Sequence, residues 1–308
     1  LGAIVRVINV NHNEISACCY NLPELFRMAQ KQRKNLSVPP AEDDIGSIYF
    51  FGMSLQNCWF NSMSPMALEN ASKTVQQVCQ WLAKNGDRIT QIFLFNDEMP
   101  LQKFSFDKAW ENHQVIEQEP SSWTLINSKN VEDGTNKPVY SDAGQQLYVR
   151  KLEQMGFPGL QLFPTYCIAG TEAAALQRNI AALCFWQAAL REARHSPAII
   201  KKNIMEEVDQ WGPFVDLLGQ ELNLTILKKK MSEEAEAVYV VGPRFIVAET
   251  VQQLCDVVEP RKIRVLDDCC PHLKVPWLVK KANKLLKNTE KKGVHFISHN
   301  EFISTAPA

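Results

Sequence analysis

The residues able to do chemistry in this 308-residue chain are scattered, and their spacing limits what they can do together. The densest group is Asp267-Asp268-Cys269-Cys270-Pro271-His272, with three ligand-capable residue types in one short run. Its spacing is wrong for a standard zinc finger, so a metal site is not expected there. His12 lies near the vicinal Cys18–Cys19, but nothing places a base beside this thiol–imidazole pair. No CxxC pair, G-x-S-x-G elbow, phosphate loop or HExxH helix occurs. The stretch VYVVGPRFIVAETVQQLCD, residues 238–256, poses the opposite problem. Strand, glycine turn and helix start form the junction where α/β proteins place nucleophiles and ligands. Yet from Gly242 to Thr250 it offers no Cys, Ser, His, Lys or Asp, and its only acid is Glu249.

The elements that would position a site alternate along the chain. GSIYFFGMSL, TQIFLFND, GLQLFPTYC, EAVYVVG, RKIRVLDDC and VHFISH read as strands. Helical patterns lie between them in SPMALENASKTVQQVCQWLAKNG, TEAAALQRNIAALCFWQAALREARH, VAETVQQLCDVV and HLKVPWLVKKANKLLKN. Short apolar runs separated by helices predict βαβ units. The expected fold is therefore a three-layer α/β/α domain with a mostly parallel central sheet. Residues 1–44 read as an N-terminal extension, with a strand and turn in LGAIVRVINVNHNEI, a basic-ended helix in NLPELFRMAQKQRKNL and a proline-broken linker. The main domain is expected over 45–302, with a long middle excursion at about 97–157 that is rich in Asn, Gln, Pro and Gly. A short tail is expected at 303–308.

At 45% hydrophobic and 22% charged the composition is that of a globular protein, and a formal charge of −1 argues against a nucleic-acid coat. Nine cysteines with two vicinal pairs suit a reducing, intracellular compartment better than a disulfide scaffold. No apolar run approaches the roughly 18 residues of a membrane span. The Leu1 start is that of a processed product or a piece of a longer precursor, so a targeting peptide is not to be sought here.

Several short motifs, in order, resemble those of the isochorismatase-like cysteine hydrolases, the group that contains the nicotinamidases. The resemblance spans roughly residues 45–302. Met53-Ser54-Leu55-Gln56-Asn57-Cys58-Trp59 is similar to the family's I-D-x-Q-N-x-F, with Ser54 where the family carries its catalytic Asp. Asn96-Asp97-Glu98-Met99 and Gln102-Lys103-Phe104-Ser105-Phe106 match L-D-T-H and Q-I-F-H. Asp97 persists there, but Met99, and Ser105 or Phe106, stand in for the two histidines. Phe163-Pro164-Thr165-Tyr166-Cys167-Ile168-Ala169-Gly170-Thr171 matches W-P-x-H-C-x-x-G-T, and Ile200-Lys201-Lys202-Asn203 matches I-K-G-x-N with the lysine register open. The stretch at 238–256 then corresponds to the nucleophile elbow, about two residues short. Ile246 or Ala248 occupies the cysteine position, depending on the alignment.

The resemblance implies amide hydrolysis by a thiolate, a carboxylate base and a lysine, with backbone N–H groups stabilising the oxyanion. Base and nucleophile are missing together, and the metal-type histidines with them. The degenerate site positions are therefore Ser54, Lys201, Lys202, Ile246 and Ala248, with Asp97, Met99 and Phe106 at the metal-type positions. The plainer readings make Gln56 and Asn57 strand-end caps, Asp97 a loop or helix-cap residue, Cys167 a small buried hydrophobe, and Lys201 and Lys202 surface charges. No cofactor or metal is expected.

Near the end, Lys274, Lys280, Lys281, Lys284, Lys287, Lys291 and Lys292 face only Glu290. This run reads either as a solvated helix face or as a contact for RNA or an acidic partner. The expectation is thus a catalytically inactive scaffold acting as a structural or interaction subunit with other proteins. A mitochondrial matrix ribosome or ribonucleoprotein complex is the specific setting. The alternative is a hydrolase or small-molecule binder with a rebuilt pocket.

Overall fold

A computed structural model of the chain describes residues 23–24, 27–31, 47–112, 122–140, 142–190 and 196–303. His12, Cys18, Cys19, most of the 1–44 extension and almost all of the tail lie outside the described residues. Residues 23–24 and 27–31 are helical, and Ala29 is fully buried.

Six strands form the central sheet: β1 (Ser47–Met53), β2 (Gln91–Asp97), β3 (Ala198–Lys202), β4 (Ala235–Val241), β5 (Ile263–Leu266) and β6 (His295–Ile297). Their order is β3-β2-β1-β4-β5-β6, and every pairing is parallel. The near-continuous apolar runs of β1, β2 and β4 follow from this arrangement, because a parallel sheet between helices is buried on both faces.

The principal helices are α1 (Ala71–Asn85), α2 (Asp142–Gln154), α3 (Arg178–Leu190), α4 (Thr225–Glu234), α5 (Arg244–Leu254) and α6 (Pro276–Lys291). In α1, Val75, Val78, Cys79 and Leu82 recur at helical spacing and are buried, forming the stripe that docks the helix.

Three details differ from the sequence reading. The run at 159–167 does not join the central sheet. Only Leu160–Gln161 is extended, paired antiparallel with Leu125–Ile126. Gly159, at φ +138°, packs against the carbonyl of Ile126 and turns the chain into this local pairing. The sixth strand is instead β3, a short edge strand that alternates partly exposed and exposed residues and so carries a weak apolar signal. The middle excursion also contains the helix α2, 13 residues and more than three turns long.

This strand order reverses direction at β1, so the chain ends of β1 and β4 flank the switch point of the sheet. There the backbone of Gly242, at φ +137°, packs directly on β1. A Cβ added to it would lie 2.1 Å from the carbonyl oxygen of Met53. Gly242→Ala is therefore expected to cost about 3 kcal/mol or more. Gly170→Ala, also at positive φ (+79°) but with nothing within 4 Å, should cost about 1 kcal/mol. Urea unfolding midpoints measure both, and equal losses would contradict the close approach at Gly242.

Candidate functional site

The strand register determines which lysine turns inward. β2 and β3 pair Asn96 with Lys201 and Asp97 with Lys202. Neighbours across a parallel pair share a face, while successive residues alternate, so Asp97 and Lys202 lie side by side and Lys201 points away. Lys202 is fully buried and its ammonium meets Asp97 Oδ1. Lys201 is exposed and pairs with Glu98 at 2.9 Å. Lys202 is therefore not the surface charge the sequence suggested, and Asp97 is not a simple cap.

Both oxygens of the Asp97 carboxylate are hydrogen-bonded. Besides Lys202, Oδ1 accepts from Asn203 Nδ2 at 2.6 Å, and Oδ2 accepts from Trp59 Nε1 at 3.1 Å. Gln56 brackets the Asp97 backbone, donating to its carbonyl and accepting from its N–H, both at 2.7 Å. Asn203, at φ +60°, reaches Gln210 through side chain and backbone, so the chain leaving β3 is locked to the same cluster. Ser54, where the resemblance implies a catalytic aspartate, is buried at φ +50°, and among the described residues its hydroxyl has no hydrogen-bond partner.

A second buried network stands beside the first. Lys103, 1% exposed, donates to the carbonyls of Met205 and Val208 and lies 3.5 Å from Asp209. Asp209 also accepts from Ser105 at 2.9 Å and from Tyr148 at 3.1 Å. Burial lowers the Lys103 ammonium pKa, against the opposing pull of Asp209. Burial and then Asp209 raise the Tyr148 phenol well above its ordinary value. Sequence reasoning missed this network. Its one signal was a lysine at the apolar second position of Q-I-F-H.

Aromatic rings roof both networks. Trp59 meets Tyr166 at 5.2 Å and Phe245 at 5.9 Å between centroids. Tyr166 meets Phe106 at 5.8 Å, and Phe245 meets Trp211 at 5.1 Å. Met99 is also buried, its N–H donating to the Cys167 carbonyl at 2.9 Å. The side chains at both metal-type histidine positions, Met99 and Phe106, thus fill space. A hollow of about 10 Å³ lies beside Asp209, Trp211 and Trp277, room for one water at most. Small-molecule sites commonly enclose on the order of 300 Å³ or more. Burial and then the Asp97 charge push the Tyr166 phenol well up, so it stays protonated.

At the elbow, β4 ends at Val241 and α5 begins at Arg244. Ile246 and Ala248 are both buried in α5, and Thr250 Oγ1 donates to the Ile246 carbonyl at 2.8 Å. The strand–turn–helix is present without a nucleophilic atom. Elsewhere, the run 267–272 is divided among different contacts. Asp267 pairs with Arg244 at 2.7 Å, Asp268 with His299 at 2.5 Å, and Cys269 and Cys270 are buried. Among the described residues no group of three metal-ligating side chains converges.

Cys167, expected as a free buried thiol, is joined to Cys58 in a disulfide with a Cα–Cα separation of 5.8 Å. It links the turn after β1 to the loop that covers the end of β2, beside Trp59 and Tyr166.

No model of a known protein family matches the chain, and no curated protein matches it in sequence. Solved structures do match in fold. The Acinetobacter baumanii nicotinamidase/pyrazinamidase superimposes with a TM-score of 0.54 at 17% identity, over 83% of this chain and 98% of that one. The yeast nicotinamidase Pnc1p gives 0.55 at 16% identity, over 81% and 99%. PnC1 from L. infantum, solved with nicotinate, gives 0.51 at 14% identity, over 84% and 96%. The chain therefore has the α/β fold of the isochorismatase-like hydrolases, as its motifs implied.

Non-reducing peptide mapping is expected to find Cys58 joined to Cys167. Replacing both by Ala should lower stability by ~4 kcal/mol, as befits closure of so long a loop. Burial pushes the Cys79 and Cys270 thiols up to about 12, so in the native protein at pH 8 they should resist alkylation. Absence of the cross-linked peptide would contradict this arrangement.

Proposed function

We propose that this chain is a catalytically inactive protein on a cysteine-hydrolase fold, acting as an interaction subunit of a larger assembly. The observation that carries the reading is the elbow. Its nucleophile position is filled by buried Ile246 or Ala248, while the inward lysine of β3, Lys202, is committed to Asp97. Thiolate hydrolysis needs an attacking sulfur and a base within hydrogen-bond reach, and removing one member of such a set already costs orders of magnitude in rate. The Cys58 and Cys167 sulfurs are bonded to each other, so neither is a thiolate.

A binding role draws support from the β3 edge. Ile199 on that strand and Ile204 and Met205 just after it are exposed, and the segment bearing exposed Leu101 adjoins Met205 through Lys103. An edge strand with exposed apolar side chains is a ready site for a protein partner. A mitochondrial, ribonucleoprotein setting belongs to this proposal. Both disulfide cysteines are fully buried, which protects the bond from thiol exchange in a reducing compartment.

The test is direct. Purified protein should hydrolyse neither nicotinamide nor pyrazinamide, and millimolar amounts of either should leave its melting temperature unchanged. Turnover that disappears in Lys202→Met would overturn the proposal. Native pull-down with size-exclusion chromatography should find the chain in a stable complex, and a free monomer throughout would sink the subunit role.

A further inference from the structure

The lysines of α6 are not equivalent. Lys281 turns toward the domain, where it pairs with Glu249 and lies 4.1 Å from the centre of the Phe157 ring and 5.2 Å from that of Trp211. It leaves the basic face that the sequence assigned to it. Lys280, Lys284, Lys287 and Lys291 are exposed, and among the described residues none has an ion-pair partner. The contrast with Lys228-Lys229-Lys230 is informative. There Lys228 pairs with Glu221 at 3.2 Å, Lys229 with Glu233 at 4.0 Å, and Lys230 donates to Gln91 at 3.0 Å.

At about 100° and 1.5 Å per residue, positions 280, 284, 287 and 291 fall within about 60° of arc and span about 16 Å. This is one straight row of uncompensated positive charge, flanked on its side by exposed Glu290. It appears on a chain whose overall formal charge is only −1, so the row is a local feature and not a by-product of a basic composition.

We infer that this row is a binding surface for the phosphate backbone of double-stranded RNA. Three observations select that partner. First, α6 carries no exposed large apolar residue, whereas protein interfaces depend on aromatic and apolar anchors and are depleted in lysine. Second, single-stranded nucleic acid needs a free aromatic platform for base stacking. The aromatic residue of α6, Trp277, is half-buried, its indole N–H donating to Gln161 at 2.6 Å and its ring packed near Trp211. Third, α6 lies along α5 and is followed at once by β6, so it cannot enter a deep groove as a DNA recognition helix does. A flat basic face meets phosphates across a wide, shallow groove, which is the minor groove of A-form RNA. Such contact reads shape and charge and is indifferent to sequence. The inference deepens the ribonucleoprotein part of the proposed function, and it does not depend on whether the strand ends are catalytic.

The test is fluorescence anisotropy of a labelled 20-base-pair RNA duplex with the full chain, between 50 and 200 mM salt. Four phosphate contacts predict a log K against log salt slope of about −3 to −4. Lys280→Gln/Lys284→Gln/Lys287→Gln/Lys291→Gln should weaken binding at least about tenfold and flatten the slope by about 3, whereas the same four positions changed to Arg should keep it. Circular dichroism checks that both variants are folded. No binding at 50 mM salt, or equal binding by the Gln variant, would overturn the inference. So would tighter binding of a matched DNA duplex, or of a polyglutamate peptide that RNA fails to displace.

Discussion

Burying a carboxylate and an ammonium group costs several kcal/mol apiece, and Asp97 and Lys202 offset that cost only by meeting each other. The rest of the strand-end structure depends on this pair. It requires β2 and β3 to hold the register that places the two residues side by side. It also requires donors on both carboxylate oxygens besides Lys202, which Asn203 and Trp59 supply. Water must be kept out, and the rings of Trp59, Tyr166, Phe106 and Phe245 do so.

That closure has a chemical consequence. In a thiol hydrolase the lysine charge would stabilise a thiolate and the aspartate would take its proton. Here Lys202 and Asp97 satisfy each other, Ser54 stands where the motif resemblance places the proton-accepting aspartate, and the elbow between β4 and α5 carries buried Ile246 and Ala248 and no sulfur. The disulfide between Cys58 and Cys167 anchors the covering loop to the turn that carries Trp59, so roof and ion pair are held as a unit. The positive φ of Ser54, Cys167 and Asn203 marks the three places where the chain bends sharply around this cluster.

Much of this was legible in the residues, for identifiable reasons. The apolar runs of β1, β2 and β4 announce buried parallel strands because both faces of each are covered. The glycine and the helix start at 242–244 announce the elbow because only glycine fits against Met53. What was illegible depended on pairing across distance. Whether Lys201 or Lys202 turns inward follows from register with β2, which no local pattern encodes. The Cys58–Cys167 bond joins positions 109 residues apart. Lys103 and Asp209 look like ordinary charges until the excursion folds back over them. β3 escaped notice because an edge strand buries too little to carry a long apolar run.

The central claim is that the strand ends are closed around a mutually satisfied ion pair. A double-mutant cycle tests it, with Asp97→Asn, Lys202→Met and the combined variant compared by urea unfolding. Each single change should cost about 3–5 kcal/mol by stranding a buried charge. The combined variant should recover much of that loss, for a coupling above ~2 kcal/mol. Small, additive losses would instead describe two hydrated side chains in an open site, and would contradict the account.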